Sequence, residues 1–336
     1  MRFFISLMFC VVFYSCNNHS NAPDVSHINI NLKTYRFEKD LFTLDSNNIA
    51  KQLDPLIASY PTFGENFLNT ILSIDPRWGL DTTAGYVRGF LNAYRTIYDT
   101  AASIYDDFSP YENEIKNGLQ YVKYYFPKYN LPQHIITYIG PLDGYGDILT
   151  EDAFVIGLQH HLGQQASFYQ SEWLHETYPQ YITDRFEPEN ISVNCISNIV
   201  TDIYPDIKSE ASLAIQMIEK GKRLYLLQQL LPEKKEYLLI GYSEKQLKDC
   251  YEHEASIWNL FIQNDLLQNT DYNIIKNYIG ESPKTQELGE ASPGNIGSFT
   301  GWQIVKKFMN KNPNTSLVDL MKMNSETILE KAKYKP

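Results

Sequence analysis

Apolar residues return at helical spacing over most of this chain and alternate with a period of two in only a few short stretches. Between positions 84 and 105, Val87, Phe90, Leu91, Tyr94, Ile97 and Tyr98 recur every three or four residues, which places them on one helix face. The 47–73 stretch has the same spacing, and Pro76, Trp78 and Gly79 separate the two. Leu119, Val122, Tyr125 and Phe126 continue a helix that Pro127 should end, because proline has no N–H to donate and its ring clashes with the preceding turn. Beyond residue 190 the pattern is almost wholly helical: 191–203, 209–231, 243–264, 270–280, 297–310 and 315–331.

Strand patterns are fewer. Ile28, Ile30 and Leu32 alternate with Asn29, Asn31 and Lys33, so a half-buried first strand should start there. Ile135, Ile136, Tyr138 and Ile139 form a β-branched and aromatic run, broken by Gly140, Pro141, Asp143, Gly144, Tyr145, Gly146 and Asp147 before Phe154 to Leu158 resumes. Two strands joined by a glycine-rich turn follow from that. A small sheet packed on many helices is an α+β fold, helix-dominated.

The N-terminus has its own logic. Met1 and Arg2 precede an 11-residue apolar stretch, Phe3 to Phe13, too short to span a bilayer but suited to a secretory signal. Ser15 and Cys16 close that stretch where a polar run begins, and this junction resembles a bacterial lipoprotein signal cleaved before Cys16, which would then carry the lipid. The chain is thereby divided into a signal peptide (1–15), a flexible tether (16–27) and one large domain (28–336), itself a helix-and-sheet part (28–189) and a helical part (190–336). A multiply acylated cysteine would hold the domain at a membrane surface, each buried methylene contributing about 0.8 kcal/mol.

Composition narrows the partners. The 29 Lys and Arg are outnumbered by 40 Asp and Glu, giving a formal charge of −11 with no basic cluster, so nucleic acid is excluded as a partner. The 25 Tyr, 17 Phe and 4 Trp supply amphipathic rings for half-buried surfaces and grooves. Four cysteines are no disulfide framework in 336 residues; Cys195 and Cys250 are either paired with each other or two buried thiols.

Motifs of catalysis are missing. A zinc peptidase needs HExxH, two imidazoles one helical turn apart with a glutamate base between them. Among the seven histidines, His175-Glu176 and His253-Glu254 each lack the second ligand, and the adjacent His160 and His161 should point apart. There is no G-x-S-x-G elbow, phosphate-binding loop or dinucleotide fingerprint. The most ordered local pattern is Pro293 to Val305, where Gly294, Gly297 and Gly301 admit close backbone approach and Trp302, Val305, Phe308 and Met309 begin an apolar helix face. Helix-on-helix packing across Gly297 and Gly301 is its simplest reading.

In its order of motifs the chain resembles the gliding motility lipoprotein GldB family of Bacteroidetes: Tyr35 to Phe42, Phe154 to Gly163 before Tyr169, Tyr181-Ile182 with Arg185-Phe186, Glu252 to Trp258, and Pro293 to Val305. That family in turn resembles gluzincin-type zinc peptidases, so the resemblance implies a zincin-like scaffold. In the register it suggests, Ser197, Asn198 and Thr201 stand where His, Glu and His would be, and Lys220 stands at the further ligand position, with 18 residues between Thr201 and Lys220. Neutral hydroxyls and an amide are weak zinc ligands, and a lysine cation would repel the ion. The resemblance therefore implies a non-enzyme without metal or cofactor, held in the cell envelope by its lipid and facing the periplasm. It further implies a place in a gliding and secretion complex, through a docking cleft walled by Tyr169, Tyr181, Trp258, Phe299 and Trp302, with the 293–305 block closing over it. The competing reading is a zinc metallopeptidase with non-standard ligands, using His160 or His161 with His175 and Glu176.

Overall fold

The structure, a computed structural model, describes residues 22–206 and 210–336. A four-stranded sheet lies among helices, in the order β1 (Lys33–Arg36), β2 (His134–Tyr138), β4 (Ala153–Gly157), β3 (Ile148–Leu149). β1 and β4 flank β2 in parallel, and the short β3 runs antiparallel on the outer edge of β4. All five residues of β4 and four of the five in β2 are buried, because helices cover both faces of the parallel part. The fold is α+β with helix dominant, as the periodicity predicts.

Two strand expectations need correcting. The alternating 28–32 stretch precedes the sheet: Ile28 N–H closes a turn on the Val25 carbonyl (2.9 Å), and the Gln120 amide donates to the Ile28 carbonyl (2.8 Å). The stretch packs on a helix, and the ladder begins only where Lys33 N–H reaches the Gln133 carbonyl at 3.0 Å. The second correction concerns the glycine-rich segment, which is not a hairpin turn. Tyr138 OH donates to the carbonyls of Tyr145 (2.6 Å) and Gly146 (2.9 Å), and the Gln159 amide accepts from Gly140 N–H (3.0 Å) while donating to Tyr145 O (2.9 Å). These bonds fold the loop over the sheet end, so the chain returns outside β4 as β3 and then enters β4 parallel to β2.

The longer helices are α1 (Ile49–Ala58), α2 (Leu80–Ala93), α3 (Arg95–Ile104), α4 (Ser109–Tyr125), α5 (Ile191–Ile203), α6 (Leu213–Leu230), α7 (Glu244–Glu252), α8 (Glu254–Gln263), α9 (Tyr272–Ile279), α10 (Ile296–Lys311) and α11 (Ser325–Ala332). The expected 243–264 helix is divided into α7 and α8 at His253. The expected 315–331 helix is divided into Leu317–Lys322 and α11, where the Asn324 side chain accepts from Glu326 N–H and Thr327 N–H and so starts a new helix. No helix among the described residues is long and apolar enough to cross a membrane.

The glycine-rich block near the C-terminus is a helix crossing. A Cβ on Gly221 of α6 would lie 2.2 Å from the Gly301 carbonyl carbon, and one on Gly301 would lie 1.8 Å from the Met217 carbonyl oxygen. The two backbones touch, which only glycine permits. Twelve of the sixteen residues of α10 are buried as a result.

Candidate functional site

α5 is apolar on the side facing the core and polar on the side facing the end of the sheet. Ile191, Val193, Cys195, Ile196, Ile199 and Val200 are buried, whereas Asn194, Ser197, Asn198 and Thr201 lie three or four residues apart on the other side. That side meets the segment entering β3. Asn194 Nδ2 donates to Asp147 Oδ2 at 2.8 Å, and Asn198 Nδ2 donates to the Asp147 carbonyl at 3.2 Å. Thr201 turns its hydroxyl back onto the Ser197 carbonyl at 3.0 Å. The polar face of α5 is thus occupied in pinning the segment that enters the edge strand.

Asp147 is the centre of this arrangement. Its side chain is buried, and it takes His161 Nε2 at 2.8 Å and Gly157 N–H at 3.2 Å in addition to Asn194. The other His161 nitrogen, Nδ1, lies 3.1 Å from the Glu187 carbonyl. Carbonyl and carboxylate oxygens only accept, so each ring nitrogen faces an acceptor and the arrangement favours the doubly protonated imidazolium. Burial works against that charge, but the Asp147 carboxylate, its hydrogen bond and the Glu187 carbonyl outweigh burial and hold the His161 pKa above the usual value. Burial likewise raises Asp147, and the His161 charge with the His161 and Asn194 hydrogen bonds brings it below the usual carboxylate value. His160 is turned the other way: its Nε2 donates to the Leu142 carbonyl (2.8 Å), its ring stacks on Phe186 at 4.6 Å, and burial lowers its pKa.

A cavity of ≈ 460 Å³ opens beside this pair, and Ser197, Thr201 and Lys220 all line it together with Asp147, Asn194 and Ser298. The register inferred by resemblance therefore brings three of its four positions to one cavity. Asn198 lines the adjoining cavity of ≈ 920 Å³, which runs along β3. A second neighbour of ≈ 500 Å³ continues from the far side, where Arg185 and Glu281 pair at 2.7 Å. Asp147 and Thr201 are shared with the first neighbour, and Arg185, Asn190, Glu281 and Asn295 with the second, so the three form one continuous groove.

The aromatic wall is not where the sequence placed it. Tyr169, Phe299 and Trp302 are fully buried. Tyr169 donates to the Gln159 carbonyl at 2.5 Å and packs edge-on against Phe186; Trp302 lies under the Lys306 ammonium, 3.8 Å from its ring centre. Trp258 is half-buried against Tyr334. Only Tyr181 reaches the groove, in the Arg185–Glu281 cavity. The 293–305 block contributes Asn295 and Ser298 to the central cavity and Pro293 and Gly294 to the Arg185–Glu281 cavity, while its helical part from Phe299 on is interior, drawn inward by the Gly221–Gly301 contact. It is not a flap over the groove.

The alternative ligand set is also dispersed. His160 and His161 are committed as above, Glu176 is exposed, and His175 Nε2 is buried without a hydrogen-bond partner. Among the described residues no three His, Cys, Asp or Glu side chains stand together where one cation could be held. Cys195 and Cys250 are both free and buried, which resolves their pairing. Cys16 lies outside the described residues.

Asp147 and Asn194 are the residues that sequence reasoning missed. Asp147 ends a run read as a turn, and its partner His161 is 14 positions away. The available signal was Asn194 and Asn198, two amides one turn apart on one face of the helix.

The family described as gliding motility protein GldB matches residues 18–336, which includes every motif of the resemblance, the groove and the α6–α10 crossing. No curated protein matches the chain, and no solved structure does. With the match covering nearly its whole length, the chain belongs to the GldB family of gliding motility proteins.

Proposed function

We propose that this protein is a lipid-tethered, non-catalytic component of the gliding machinery and its associated secretion, which docks an extended segment of a partner protein in the groove beside β3. The observation that carries the reading is the pinning of β3 by Asn194 and Asn198, on the helix face where the zincin-like register would set its ligands. That contact holds a short edge strand whose outer side has no partner strand among the described residues, beside the groove. Such an edge offers backbone donors and acceptors to an added strand. Membership of a gliding motility family supports the cellular role, and the Cys16 junction supports the anchor on a membrane of the envelope, facing the periplasm.

Variants in the groove and at the anchor test this. Ser197→Ala, Thr201→Ala and Lys220→Ala, each replacing the chromosomal copy, should leave colony spreading unchanged, whereas Ser197→Trp, which fills the central cavity, should abolish it at normal protein levels. Stoichiometric zinc in the purified protein that is lost in His161→Ala, with spreading lost in the alanine variants, would establish a metallopeptidase instead. For the anchor, Cys16→Ser should abolish labelling by radioactive palmitate and move the protein from the membrane to the soluble fraction. Retention on the membrane without label would overturn the tether.

A further inference from the structure

The groove is not electrically uniform. Its central cavity is balanced, with Lys220 and Arg223 facing Asp147 and Asp206. The cavity at the Arg185–Glu281 end is different: Asp184, Glu187, Glu189, Glu244 and Glu281 surround it, and Arg185 is the one basic residue in its lining. That guanidinium is taken by Glu281 at 2.7 Å. The remaining four carboxyl groups form no ion pair with the described residues, although Glu187 accepts Gln164 N–H at 2.8 Å. Lys234, close by at the Glu189 backbone, is engaged by Glu114 at 2.6 Å and by the Glu189 carbonyl at 3.1 Å.

The floor of this end is apolar and aromatic, built from Tyr181, Tyr237, Leu238, Ile240 and Tyr242. Tyr237, Glu189 and Glu244 line this end together, and burial, with those two carboxylates, raises the phenol pKa of the half-buried ring. A ring flanked by carboxylates attracts a cation twice, through its π face and through the flanking charges. Asp184 is pushed up by burial, against a smaller downward pull from His175.

Resting on the docking reading above, we infer that the segment bound in the groove is a strand of a partner protein carrying Lys or Arg at the end that reaches Tyr237. Charge complementarity selects this occupant: an acidic or neutral segment would place no cation among Asp184, Glu187, Glu189 and Glu244, and long-range repulsion would slow the approach of an acidic one. The apolar floor takes the methylene stem while the head meets the rim.

The test uses detergent-solubilised full-length protein and three fluorescein-labelled ten-residue peptides of alternating Val and Thr, ending in two Lys, two Gln or two Glu. Fluorescence anisotropy at low salt should show the Lys peptide binding about tenfold more tightly than the Gln peptide and the Glu peptide weakest. A Glu189→Gln, Glu244→Gln double variant should erase most of the Lys advantage and leave Gln-peptide affinity unchanged, and high salt should do the same to the parent. Equal binding of all three peptides, or a Lys preference that survives the double variant, would overturn the inference while leaving strand docking intact. Displacement of the Lys peptide by micromolar Ca²⁺ would also overturn it, reassigning the acidic rim to a metal ion. If no peptide binds, the docking reading falls and takes this inference with it.

Discussion

Single side chains decide the state of the groove. Because His161 is held above its ordinary value, it contributes stability that is complete below about pH 6.5 and disappears as pH rises through its native pKa. Asp147, held below its ordinary value, contributes stability that is complete above about pH 3.9 and disappears as pH falls through its native pKa. The pair therefore stabilises most between those limits. His161→Gln, which leaves Asp147 buried without its counter-charge, should cost about 3–5 kcal/mol near pH 5.5, with the penalty shrinking in acid and in alkali. Urea unfolding followed by circular dichroism across pH checks this; a pH-independent penalty would remove the ion pair from the account. The buried thiols are a second residue-scale case. Burial raises Cys195 well above the ordinary thiol range and Cys250 to about 12, so thiolate is scarce at both. Iodoacetamide at pH 8 should leave both cysteine peptides unlabelled in the native protein and label both in guanidinium, read by mass spectrometry. None of this pairing was legible locally: Asp147 lies in a glycine-rich run whose local chemistry signals only a turn, and its charge acquires meaning from a histidine that the fold brings to it.

At the scale of elements, the crossing of α6 and α10 sets two backbones in direct contact. Gly301→Ala should separate two backbones now in contact and cost several kcal/mol, since overpacking of a filled core costs about 1–3 kcal/mol even where side chains, not backbone, give way. Gly85→Ala on α2, where an added Cβ meets nothing within 4 Å, is the control and should be neutral or slightly stabilising. Thermal unfolding of both variants measures the contrast. Helix existence was legible because amphipathic spacing is written along each segment, and Pro127 ends α4 where proline must. The breaks at His253 and at Met323-Asn324 were not, because apolar spacing runs across both; at the second, the Asn324 side-chain cap decides where the helix restarts, while His253 makes no side-chain cap at the first. The strand register was the least legible element: alternation at 28–32 is real, but those residues meet a helix rather than a neighbouring strand.

Across the whole molecule, the C-terminal segment is fastened to the central helix by a buried charge. Lys222 is 2% exposed and holds Glu219 at 2.8 Å and the Met323 carbonyl at 3.1 Å, with Ser325 donating to the same glutamate. Lys222→Ala should cost about 3–5 kcal/mol, whereas Lys222→Met with Glu219→Leu, which removes both charges, should cost markedly less. Chemical unfolding of the two proteins decides it, and equal losses would mean that packing rather than charge fastens the segment. The sequence by itself determined the helical content, the small sheet, the acidic surface and the family, because periodicity, net charge and the order of motifs are properties of the chain read along its length. Only the tertiary structure decided that three of the five aromatics chosen as a cleft wall, Tyr169, Phe299 and Trp302, are core. Burial depends on what packs against a ring, and the glycine contact that draws Phe299 and Trp302 inward joins residues far apart in the chain. The groove likewise exists only once β3 returns outside β4 and α5 pins it, since a concave surface is made by segments that no local pattern relates.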